Sequence, residues 1–258
     1  MELGISGRVA MVAAASKGIG RAIAKELAAE GCRVSICARG EDGVAAAIAQ
    51  IPGSIGRVCD VSEPAAIEAW HEATCRELGE PEILVTNTGG PPAGYWTEMS
   101  DEQWEAGFQS TLMNIVRLVR LAAPNMRERG WGRIVHITSL VAAQPHSLLP
   151  ISSTLRAGIG ALTRLQSDEL APFGVTVNSV LPGHTMTDRQ VHLAKVRGER
   201  EGIPFQQALK EQGAEVPVGR IAEPEEIAAA VSFLCSQRAS YVTGVSLLVD
   251  GGIVRGRG

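Results

Sequence analysis

The fold is decided by Arg8-Val9-Ala10-Met11-Val12-Ala13-Ala14-Ala15-Ser16-Lys17-Gly18-Ile19-Gly20, an apolar run that breaks into a small, glycine-bearing turn. The apolar run does not alternate with polar residues, which suits a strand covered on both faces, as in a parallel sheet. Beyond the turn, Ile19, Ile23 and Leu27 recur at helical spacing, so the turn opens a helix. Glycine at such a junction lets backbone approach a ligand, and the helix N-terminus adds unpaired N–H groups and partial positive charge. A strand, a glycine turn and a helix in that order can seat a dinucleotide pyrophosphate. Two glycines alone would be a weak signal, so the rest of the chain has to agree.

It does agree. Further strands are expected at 8–13, 33–38, 55–59, 82–86, 133–138, 175–181 and 246–249, with helical patterns between them. One of these helices places Leu155, Ile159 and Leu162 on a single face. Regular alternation of strand and helix implies right-handed crossovers and a doubly wound, seven-stranded parallel sheet with helices on both faces, a single-domain Rossmann fold. No linker or internal repeat interrupts the series, so one domain is expected over 1–258. Only 184–216 breaks the rhythm: it is polar and charged and contains Gly198, Gly202 and Pro204. That stretch is expected to form a small helical lid over the substrate.

Composition narrows the function classes. With 45% hydrophobic and 20% charged residues, the chain can bury a large core. Its net charge of −4 is spread without a basic stripe, which argues against nucleic acid as a partner. No apolar run is long enough to span a membrane, and the acidic start Met1-Glu2-Leu3-Gly4 lacks the apolar region of a signal peptide. The cysteines, Cys32, Cys37, Cys59, Cys75 and Cys235, form no C-x-x-C pair. They read as small hydrophobes in a reducing compartment, with Cys32 and Cys37 on opposite faces of their strand. A cytoplasmic location and no metal site are expected.

Five motifs then carry a family resemblance. Ala13-Ala14-Ala15-Ser16-Lys17-Gly18-Ile19-Gly20 resembles the Thr-Gly-x-x-x-Gly-x-Gly loop of the short-chain dehydrogenases/reductases, with Ala14 in place of its first glycine. Ala14 adds a methyl group at a tight turn, which should be tolerable if its φ is negative. Asp60-Val61 resembles the pair that contacts adenine, and Thr86-Asn87-Thr88-Gly89 resembles Asn-Asn-Ala-Gly. Pro182-Gly183-His184-Thr185-Met186-Thr187 fits Pro-Gly-x-x-x-Thr, which holds the nicotinamide end. Tyr241-Val242-Thr243-Gly244 and Val249-Asp250-Gly251-Gly252 resemble the last strand of that family.

The cofactor type follows from charge. The second strand ends Ile36-Cys37-Ala38-Arg39, where an NAD enzyme usually has a carboxylate for the ribose 2′-hydroxyl. Arg39 offers a fork for a 2′-phosphate and Lys17 a second cation, which favours NADP(H) over NAD(H).

The catalytic pattern departs from the family. The resemblance implies an Asn, a Ser and a Tyr-x-x-x-Lys pair, and only Ser139 is kept. Ser152 stands for the Tyr, Arg156 for the Lys and Thr111 for the Asn. Residues 152 and 156 still share a helix face, so Arg156 can hold a ribose. Serine cannot replace a phenol as proton donor. Tyr95, His146 and His184 are candidate residues of the substrate pocket, while Trp96, Trp104 and Phe205 hint at an apolar one. The divergent pattern resembles a subgroup related to 3-oxoacyl-acyl-carrier-protein reductases. Two functions stay open: an NADP(H)-dependent oxidoreductase acting on a carbonyl or alcohol, or a catalytically impaired NADP(H)-binding sensor or partner subunit. Apolar Leu112, Ile115, Val116, Leu118 and Val119 exceed one core stripe, and the resemblance implies a homotetramer or dimer.

Overall fold

The computed structural model describes residues 2–255. Residues 9–12 form the first strand, β1 (Val9–Val12), and all four are buried because helices cover both faces. The remaining strands are β2 (Arg33–Ala38), β3 (Ile55–Val58), β4 (Ile83–Thr86), β5 (Gly132–Ile137), β6 (Val175–Pro182) and β7 (Ser246–Val249). All pair in parallel, in the order β3-β2-β1-β4-β5-β6-β7. Each expected strand is present: β2 and β7 with the expected bounds, β1, β3 and β4 shorter by one or two residues, β5 shifted one residue earlier, and β6 one residue longer, to Pro182.

The helices are α1 (Gly18–Ala29), α2 (Glu41–Ile48), α3 (Pro64–Leu78), α4 (Asp101–Phe108), α5 (Asn114–Arg129), α6 (Pro150–Leu170), α7 (Asp188–Glu201), α8 (Phe205–Glu215) and α9 (Pro224–Cys235). A π-turn, Gln109–Met113, joins α4 to α5 without a break. Among the described residues, no helix is long and apolar enough to cross a membrane.

Alternation along β1 and β2 divides the core in two. Ala10, Val12, Val34 and Ile36 pack with Ile23 and Leu27 of α1 and with Ile227 and Val231 of α9. Met11 and Cys37 face the other way, onto Ile67 and Trp70 of α3, Leu118 of α5 and Ile159 of α6. Cys32 lies in the first cluster and Cys37 in the second, as their odd spacing requires. On α6, Ile159 is buried in the second cluster and Leu162 packs half-buried against it, while the inward stripe also carries Ser152, Arg156, Thr163 and Ser167.

Candidate active site

All seven strands end on one edge, and the strand order reverses between β1 and β4, so a crevice opens there. A cleft of about 550 Å³ fills it. Its wall on the β1 side is the turn into α1. Ala14 has φ 48°, so the condition of a negative φ is not met. It is the one non-glycine residue among those described in the left-handed region, at a cost of roughly 1–2 kcal/mol. Hydrogen bonds hold it there. Ala13 N–H donates to Val85 O (3.0 Å), Ala15 N–H donates to Cys37 O (2.9 Å), and Asn87 Nδ2 donates to Ala14 O (3.2 Å).

Ser16, Lys17, Gly18, Ile19 and Gly20 continue this wall. A Cβ on Gly20 would lie 2.6 Å from Ala14 O and 2.8 Å from Asn87 Nδ2, so only glycine lets the turn and the Asn87 loop close together. No side chain caps α1, which leaves its first N–H groups for a ligand. A glycine-walled, uncapped helix N-terminus fits a pyrophosphate.

Arg39 is exposed on the cleft rim and makes no ion pair among the described residues. Lys17 is placed differently: its Nζ lies 2.7 Å from Asp188 on α7, both side chains being exposed. Asp60 and Val61 line the cleft, and Asp60 Oδ1 accepts from Ser62 N–H and Oγ–H. Asn87 and Gly89 form the middle of the floor; Pro182, Gly183, Thr185 and Thr187 form the far wall. A Cβ on Gly183 would meet Asp250 Cα at 2.6 Å. The Pro-Gly turn and the C-terminal motif are thus packed backbone to backbone. Thr187 caps α7, its Oγ1 accepting from Gln190 N–H.

The opposite wall carries the altered residues. Ser139 follows β5 and caps a short 3-10 turn, its Oγ accepting from Val141 N–H at 3.3 Å. Ser152 and Arg156 sit one turn apart on α6, buried and lining the same cleft. Arg156 Nε donates to Ser152 Oγ at 3.2 Å, and Nη1 donates to Ile137 O at 2.9 Å. Burial, with help from the nearby Arg189 cation, pulls Arg156 down to about 10, so it still holds its proton at neutral pH.

Thr111 does not reach the cleft. It is buried inside the π-turn with Oγ1 unpartnered, and its neighbour Ser110 lines the wall instead. Tyr95, His146 and His184 also stand outside the lining. Tyr95 is exposed beneath the Arg200 guanidinium, 4.8 Å from its ring centre. His146 Nδ1 accepts from Leu148 N–H, and His184 Nδ1 lies 3.3 Å from Gln190 Nε2; burial holds both imidazoles below their ordinary range. The apolar-pocket hint is not met either, since Trp96 is 72% exposed and neither Trp104 nor Phe205 lines the cleft. His136 is a strand residue with both ring nitrogens partnered, by Thr86 and Gln166.

Sequence reading missed Arg189, Gln190 and Leu193, which α7 brings over the cleft. Arg189 Nη2 donates to Pro91 O at 2.6 Å, tying α7 to the loop after β4. The signal was available: Thr187 is an N-cap, so the residues just after the Pro-Gly motif had to begin a helix.

Residues 13–254 match the protein family described as enoyl-(acyl carrier protein) reductase. The chain is 36% identical over 253 residues to the 3-oxoacyl-(acyl-carrier-protein) reductase of Escherichia coli, covering 97% of this chain and 99% of that one. Its fold superposes on L-sorbose reductase from Gluconobacter frateurii, solved with NADPH and L-sorbose, with a TM-score of 0.94, 33% identity and full coverage of both chains. A second similar structure is a point variant of the actinorhodin polyketide ketoreductase with NADPH (TM-score 0.94, 33% identity, 96% and 98% covered). Strand order, glycine turn and full-length similarity to these reductases agree, and the chain belongs to the short-chain dehydrogenase/reductase family.

Proposed function

We propose that the protein is an NADP(H)-dependent oxidoreductase interconverting a ketone and an alcohol, with Ser139, Ser152 and Arg156 in place of the family's Ser, Tyr and Lys. The observation that carries this reading is one continuous cleft, running from the glycine turn and Arg39 at one end to these three side chains at the other. Bound there, NADPH would supply a hydride. Arg39 binds the 2′-phosphate as a planar fork, and the first turn of α1 binds the pyrophosphate. Arg156 keeps a fixed positive charge beside the nicotinamide ribose, anchored by the Ile137 carbonyl. Ser139 orients the substrate oxygen, and the proton comes from solvent, because neither serine nor a charged arginine releases one near neutral pH.

The similar proteins reduce or bind ketones by their names, which supports a carbonyl of the 3-oxoacyl or sugar-ketone kind. Helices α7 and α8 serve as the lid: Arg189, Gln190 and Leu193 project from α7 into the cleft. Half-buried Leu112 on the π-turn, half-buried Val116 on α5 and the exposed Leu165 on α6 support pairing of copies into a dimer or tetramer. The unpaired cysteines support a reducing, cytoplasmic setting.

The second reading, an NADP(H)-binding sensor or partner subunit, rests on the missing phenol at position 152. Transfer of deuterium from 4-deuterated NADPH to a panel of ketones separates the two. Label in the alcohol, lost in Ser139→Ala, supports the enzyme. NADPH binding with no label above the buffer rate leaves only the sensor.

A further inference from the structure

Cys75 differs from the other cysteines: it is only half-buried, and it belongs to a cluster of metal-ligating groups at the edge of the sheet away from the cleft. His71 and Cys75 lie four residues apart, on one face of the last turns of α3. Gly79 follows with φ 94°, a conformation that only glycine adopts without strain, and turns Glu80 back toward that face. Cys75 Sγ lies 3.3 Å from Glu80 Oε2 and 3.7 Å from both ring nitrogens of His71. The three donor atoms lie within 4.8 Å of one another.

We propose that His71, Cys75 and Glu80 form a binding site for a single thiophilic divalent cation of the zinc class. The spacing supports it. In a tetrahedral site with a metal–sulfur bond of about 2.3 Å and metal–nitrogen or metal–oxygen bonds of about 2.0–2.2 Å, adjacent donors stand about 3.6 Å apart. The two sulfur edges here, at 3.3 and 3.7 Å, bracket that value. Both imidazole nitrogens are equidistant from sulfur, so either one can serve as the donor once the ring turns to aim it.

Charge supports it too. Glu80 makes no ion pair among the described residues, and Glu72 adds a second negative charge near His71 and Cys75. Imidazole, thiolate and carboxylate together suit zinc or cobalt and not calcium or magnesium. The thiolate is the ligating form of cysteine, so binding releases the Cys75 proton to solvent. With three protein donors, a fourth position is left for water.

The site is remote from the reaction. Glu80 lies just before β4, at the amino edge of the sheet, whereas the cleft lies at the carboxyl edge. An ion here would tie the end of α3 to the entry of β4 and stabilise the fold without joining the chemistry.

The test is titration of the chelator-stripped protein with cobalt(II), read by absorption, with NADPH affinity measured alongside. Expected are one equivalent per chain, a thiolate-to-cobalt charge-transfer band, the visible bands of tetrahedral cobalt, and displacement of both by zinc. Cys75→Ser should abolish the charge-transfer band. His71→Gln and Glu80→Gln should each weaken binding by at least about tenfold. NADPH affinity should be unchanged in all three. No charge-transfer band in the wild-type protein, or a band that survives in Cys75→Ser, overturns the proposal. So does full cobalt affinity in both the His71→Gln and Glu80→Gln variants.

Discussion

Between β1 and α1 the cleft is walled almost entirely by backbone: the Ala14 carbonyl, the uncapped N–H groups of α1, and glycines that admit no Cβ. Between β5 and α6 it is walled by side chains, Ser139, Ser152 and Arg156. The first wall keeps its shape with alanine where the family has glycine. The second keeps its positions but not its functional groups. Main-chain recognition depends on φ, ψ and close approach and so tolerates sequence drift. Proton transfer depends on one functional group with the right pKa and does not.

The largest test of this contrast restores the lost chemistry. Ser152→Tyr with Arg156→Lys should raise kcat for ketone reduction by about 10²–10⁴-fold, the usual worth of a positioned acid–base group. Steady-state kinetics with NADPH would show it. An unchanged kcat would mean that the altered wall has lost its geometry as well as its groups.

Next in size is the rim cation. Arg39→Ala should weaken NADPH binding by about 10–100-fold, the value of one charge-assisted contact, and leave NADH binding within about threefold. Calorimetric titration with both cofactors decides this, and equal losses would move the 2′-phosphate away from Arg39.

The third test concerns the β5 side. Burial pulls His136 down to about 4, against about 6.5 for a free imidazole. Between those values the unfolded chain takes up a proton that the folded chain refuses. Stability is therefore full above about pH 6.5 and falls as pH drops toward about 4. About 2 kcal/mol should be lost between about pH 7 and pH 5, measured by urea unfolding, and His136→Gln should remove that difference.

The smallest effect is on the β1 side. Ala14→Gly should add roughly 0.5–1 kcal/mol by relieving the left-handed methyl, partly offset by the freer unfolded chain. Thermal unfolding should show a modest rise in Tm without loss of NADPH affinity.

The sheet was legible because burial on both faces writes itself into composition: 9–12 and 83–85 are wholly apolar. Helix α1 was legible because Ile19, Ile23 and Leu27 face one core. Helix α6 was less so, since its inward face is partly the cleft and carries Ser152, Arg156, Thr163 and Ser167. The sign of φ at Ala14 could not be read from the sequence, because bonds from Val85, Cys37 and Asn87 impose it. The π-turn that withdraws Thr111 left no mark in local spacing, and the bond from Arg189 to the Pro91 carbonyl is a tertiary contact that local spacing does not encode.

Helix α7 grips both banks of the crevice with consecutive residues, Asp188 to Lys17 on the glycine turn and Arg189 to the Pro91 carbonyl across the gap. The first is a solvent-exposed ion pair, worth about 0–1 kcal/mol and weakened by salt; the second is more sheltered. Raised ionic strength should therefore loosen the Lys17 contact first and leave the Arg189–Pro91 bond in place, so that salt weakens the grip of α7 on the glycine turn.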